Sequence, residues 1–164
     1  MRNRFIKICI ALLCNYLLQV VVVSAQPVVL PFHEAEKQGY KFNVLDSLYR
    51  DAINVDSTKA VFRTKANEDA NYQAWVKLIQ SFSSYLYKNG WTTENDVRGF
   101  IKVYFAPSGK VEMFFYNMKD ASISEEQHRL FKKLIAEMLT DYNYGMQADE
   151  QFSQCGQILL KAPK

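Results

Sequence analysis

Few side chains in this chain have the types and spacing that chemistry requires. There are only two histidines in 164 residues. His33 stands with Glu34 and Glu36 between Pro31 and Gly39, where a metal would need further ligands held rigidly. That segment reads instead as a solvated loop. Glu125 and His128 have the i, i+3 spacing of one half of a di-iron helix motif. The other half is absent from the sequence, so the pair reads as an exposed helix face. No Gly-x-Ser-x-Gly, His-Glu-x-x-His, phosphate loop or paired-carboxylate motif occurs. Hence no catalytic residue, metal or cofactor is assigned, and a non-enzymatic role is expected. The candidate binding residues are Lys102, Tyr104, Glu112, Phe114 and Tyr116, five side chains expected to share one face of a hairpin.

That hairpin is Gly99 to Asn117, two arms rich in β-branched and aromatic residues around Pro107, Ser108 and Gly109. Pro107 pre-sets the first turn position, and Gly109 can take the left-handed conformation that closes a three-residue loop. The implied register sets Phe105 against Val111, Val103 against Met113 and Ile101 against Phe115, an all-apolar face. The opposite face then pairs Tyr104 with Glu112, Lys102 with Phe114, and Phe100 with Tyr116. Tyr104, Phe114 and Tyr116 there make a patch with two readings. Either Asn43 to Arg63 or a helix covers it as a second core, or it stays open and anchors a partner.

Other elements must support the hairpin, because two strands alone do not stand in water. Val44, Leu45, Leu48, Tyr49, Ala52 and Ile53 have helical spacing over Asn43 to Ile53. Lys59 to Arg63 reads as an edge strand or an ordered loop. Asn67 can cap a helix carrying Tyr72, Trp75, Val76, Ile79, Phe82 and Leu86, ended by Gly90. Ser124 and Gln127 form a capping box ahead of a helix running to about Asn143. Phe152 to Lys161 closes the chain as a strand, with Gly156 as a candidate bulge.

The first residues carry an address. Arg2, Arg4 and Lys7 precede an apolar run from Ile8 to Val23, and Val23, Ser24 and Ala25 suit signal peptidase. Residues 1–25 are expected to be a signal peptide, cleaved before Gln26, with a periplasmic or secreted product and no retained membrane span. Removing three basic residues takes Lys+Arg from 20 to 17, equal to the 17 Asp+Glu. The net charge of +3 thus belongs to the address and argues for no nucleic-acid partner. Residues 26–42 read as an extended leader, and 43–164 as a single α+β domain. Cys155 is the one cysteine left, expected as a buried small residue rather than a dimer-forming disulfide.

Helix, strand, strand, capped helix and strand is an order that resembles the periplasmic C-terminal domain of TonB energy transducers. Val103, Tyr104 and Phe105, then Gly109, Lys110 and Val111, then a helix and Phe152 to Lys161 carry the resemblance. The chain is also similar to small exported bacterial proteins. The likeness implies an antiparallel sheet built on the hairpin, with helices packed on one face. It further implies binding of a protein partner, or of a second copy, by strand addition at a sheet edge. Without a Pro-rich spacer, energy transduction is not among its implications. A carrier of a small apolar ligand, or an enzyme without a recognisable motif, are the alternative functions.

Overall fold

The computed structural model describes residues 26–118 and 123–162. The expected signal peptide lies outside the described residues. Strand β1 (Val28–Pro31) leads into α1 (Phe32–Lys37), α2 (Phe42–Leu48) and the two-residue β2 (Arg50–Asp51). A 3-10 turn at Ser57–Lys59 precedes α3 (Lys65–Lys88). The hairpin strands β3 (Val97–Phe105) and β4 (Val111–Met118) follow, then α4 (Glu125–Thr140) and β5 (Phe152–Leu160).

The architecture is α+β, but the sheet is mixed. Its order is β1-β4-β3-β5-β2, with β1 parallel to β4, β2 parallel to β5, and β3 antiparallel to both its neighbours. Two expectations are corrected here. The stretch 26–42 is no leader outside the fold, because Val28, Val29 and Leu30 pair with Met113, Phe114 and Phe115. Helices also pack on both faces. Long α3 and α4 cover one side, and short α1 and α2 cover part of the other.

The hairpin turn forms as its residues dictate. The Ala106 N–H donates to the Lys110 carbonyl at 2.9 Å, and Gly109 sits at φ +81°. A Cβ on Gly109 would also run into the Met146 carbonyl, so glycine is required twice over. The register departs from expectation four residues later. Phe105 pairs with Val111, but Tyr104 pairs with Met113, leaving Glu112 as the extra residue of a bulge. Beyond it every β4 side chain changes face. Val103 pairs with Phe114, Lys102 with Phe115 and Ile101 with Tyr116.

The main core therefore gathers Ile101, Val103, Phe105, Val111, Phe114 and Tyr116 beneath Trp75, Leu78, Phe82, Phe131 and Ile135. A smaller core on the other face joins Tyr104, Met113 and Phe115 to Leu30, Ala35 and Tyr49. The capping box is present, with Gln127 N–H on Ser124 Oγ at 3.2 Å and Ser124 N–H on Gln127 Oε1 at 2.8 Å. Helix α3 starts one turn early, capped by Thr64 rather than Asn67, and Gly90 at φ +82° follows its end. Ala60 makes only an isolated bridge to Asp51, so the 59–63 stretch is an ordered loop. β5 pairs with β3 without a break, so Gly156 is no bulge; it makes room for Trp75, whose Nε1 would lie 3.2 Å from a Cβ there. No helix among the described residues is long and apolar enough to cross a membrane.

Candidate functional site

The outer sheet face, away from α3 and α4, holds three of the five candidate residues. The bulge divides the five candidate residues. Phe114 and Tyr116 point into the main core, both essentially inaccessible, and do not belong to this face. Burial pushes the Tyr116 phenol well above its ordinary pKa. Lys102, Tyr104 and Glu112 do come together, under α2 and the residue that ends it, Tyr49.

Their contacts form two polar groups joined by a ring contact. Asp46 on α2 receives Lys102 Nζ at 2.5 Å and the Tyr104 hydroxyl at 2.9 Å. The Tyr49 hydroxyl donates to Glu112 Oε2 at 2.7 Å. The Tyr49 and Tyr104 rings meet edge to face at 5.1 Å. Burial first, then the Asp46 hydrogen bond, raises the Tyr104 phenol far above its usual value. Burial and Glu112 do the same for Tyr49. Both rings stay neutral donors, and the cluster acts as a clamp that seats α2 on the sheet. Of the two readings of the patch, the covered one describes these residues: the lower half of the face is a second core, covered by α1 and α2.

The upper half is uncovered among the described residues. Register places Arg98 beside Leu159, and Asn117, Phe100 and Gln157 in one row across three strands. Phe32 of α1 closes the lower end, its ring 6.0 Å from Phe100 and 6.2 Å from Phe115. Together these residues bound a groove of about 830 Å³. Cys155 lies between the two halves, paired with Lys102. It is an exposed free thiol, not the buried residue expected. Partial shielding of its sulfur pushes its pKa up, with Lys102 acting against that shift, so a thiolate is disfavoured at neutral pH.

The sheet edge beside this groove is also open. Arg50 N–H donates to the Gln151 carbonyl at 3.2 Å, and Ala52 N–H to the Ser153 carbonyl at 2.7 Å. Odd-numbered residues of β5 thus turn their main chain outward, and the unbroken ladder to β3 carries that alternation on to Cys155, Gln157 and Leu159. Beyond Ser153, β2 offers them no partner. All three are exposed. His33 is exposed on α1, and His128 lies in the first turn of α4 beside Glu125. No group of three or more His, Cys, Asp or Glu among the described residues is placed to hold a metal.

Sequence reasoning missed the groove because its residues are spread over four separate segments. The alternation Arg98, Phe100, Lys102 was the one signal in the chain that pointed to it. No family model matches the chain, and no curated protein or solved structure matches it either.

Proposed function

We propose that the chain is an exported, non-enzymatic binding domain that takes an extended segment of a protein partner as an added strand along β5. The carrying observation is the outward main chain of Cys155, Gln157 and Leu159, which β2 does not reach; of these the Cys155 carbonyl accepts from Gln154 Nε2 at 3.2 Å. Edge strands are usually guarded by a charge, a proline or a bulge, and this stretch of β5 has none of them. The other edge strand, β1, has four residues and ends in Pro31. Apolar flanks support the reading. Leu159 is 42% exposed on the outer side, and Tyr72 on α3 is 60% exposed, next to Asn71, which donates to Gln154 of β5. An added strand would cover both while its main chain completed the ladder. The TonB-like order of elements and the N-terminal export pattern fit the same reading.

Proline separates the two sides of β5. Gln157→Pro removes an outward N–H that bonds to nothing in the described chain, and edge strands tolerate such a proline. The melting temperature should fall by only a few degrees, while capture of the partner by the tagged protein is lost. Ile158→Pro removes an inward donor to β3 and should unfold the domain. Capture that survives Gln157→Pro in a folded protein would rule out strand addition at this edge.

A further inference from the structure

The groove on the upper half of the outer face has its own chemistry, independent of the β5 edge. Its floor is Phe100 and Leu159, and Phe32 stands as its end wall. Its polar lining is Arg98, Asn117 and Gln157, whose side chains make no hydrogen bond and no close ion pair among the described residues, while the Arg98 charge acts on Asp96 at longer range. Among the described residues its lining contains one cation and no carboxylate. The nearest acid in sequence, Asp96, is engaged by Lys161 Nζ at 2.8 Å and by the Ala162 N–H at 3.0 Å. Glu34, on the helix that carries Phe32, faces away to Lys132 at 3.2 Å.

From this charge and shape we infer that the groove binds a small amphipathic carboxylate, its apolar body between Phe32 and Leu159 and its carboxylate on Arg98. A guanidinium presents paired donors in the plane a carboxylate accepts, which a lysine would not. Rows 98 and 100 of β3 lie about 7 Å apart along the strand. Arg98 is therefore separated from the Phe32 wall by the length of a short alkyl chain or one aromatic ring. The Asn117 and Gln157 amides flank Phe100 on both sides and can turn donors toward the anion. An apolar floor with a few convergent polar groups is the usual build of a small-ligand site.

Octanoate and octanol, titrated in parallel into the isotope-labelled full chain, test this. Amide shifts at Arg98, Phe100, Gln157 and Leu159 should saturate with octanoate. Octanol should bind at least tenfold more weakly. Arg98→Gln should weaken octanoate at least tenfold and leave octanol unchanged. Cys155→Pro, which removes an outward N–H of the same edge at a residue outside the groove, should still bind octanoate. Equal binding of the alcohol and the acid, no effect of Arg98→Gln, or shifts that map to the α3–α4 side would overturn the assignment. A thermal melt of each variant confirms that it is folded.

Discussion

Along β3, the outer-face side chains change environment within a few residues. Tyr104 and Lys102 lie under α2, and each spends its polar atom on Asp46. Phe100 and Arg98, one and two steps further along the same face, have no helix above them among the described residues. The same sheet thus builds a core at one end and a groove at the other. The difference comes from reach. Helix α1 has six residues and α2 has seven, and both are used up covering Leu30, Tyr104, Met113 and Phe115. Phe32 marks the boundary, since its ring touches Phe42 and Phe115 on one side and Phe100 on the other. In the covered half polar atoms are paired because burial makes an unpaired one costly. In the open half water relieves that requirement, and polar side chains are free to meet a ligand.

The largest test of this contrast is a pair of truncations on one face. Phe115 is fully buried against Phe42, Tyr40 and Tyr104. Phe115→Ala should cost about 3–5 kcal/mol in a urea melt, since a cavity is left behind. Phe100 is only half-buried, and Phe100→Ala should cost about 1–2 kcal/mol. Equal losses would mean that the upper half is core as well, and the groove would have no standing as a site.

A smaller effect separates the polar groups. Asp46→Ala strips an acceptor from the buried Tyr104 hydroxyl and from Lys102, whose side chain is 17% exposed. Asp46 itself is 45% exposed, so water can replace part of what is lost. A cost of about 1–2 kcal/mol is expected, mostly from the orphaned phenol. Arg98→Gln should stay within about 0.5 kcal/mol, as for most exposed sites. A destabilisation by Arg98→Gln as large as that by Asp46→Ala would show that Arg98 belongs to the structure and is not held in reserve for a ligand.

Parts of this organisation were legible in the residues. Pro107, Ser108 and Gly109 specify the turn, and Ser124 with Gln127 specifies a helix start, because both act locally. The bulge at Glu112 was not legible. Met113, Phe114, Phe115 and Tyr116 are all apolar, so either register buries an apolar set and the pattern cannot choose. Moving Phe114 and Tyr116 to the other face followed from that one residue. Strand β1 was hidden for a different reason. Pro27 and Pro31 read as breakers, yet Pro31 closes the strand and the apolar run between them pairs in parallel with β4, a long-range choice. The mixed sheet follows from it and from β2, which is parallel to β5. The groove needed the register of three strands before Arg98, Asn117 and Gln157 could be seen as neighbours.

The last and smallest effect concerns Asp96, an acid two residues from Arg98. Asp96 is held below the usual aspartate pKa range, first by the Lys161 hydrogen bond, then by the Ala162 N–H, with Arg98 contributing least. A folded-state pKa below the unfolded one adds stability above the unfolded value, about 3.9, and that stability disappears as pH falls through the folded value. At so exposed a position the stability effect is slight, so the carboxyl carbon should be followed directly by NMR. Lys161→Met should raise the Asp96 midpoint most, and Arg98→Gln should raise it less. That order is what leaves Arg98 available to a carboxylate from outside. If Arg98→Gln raised the midpoint as much as Lys161→Met, Asp96 would be the true partner of Arg98. The two halves of the face would then obey the same rule, with every charge already answered within the chain.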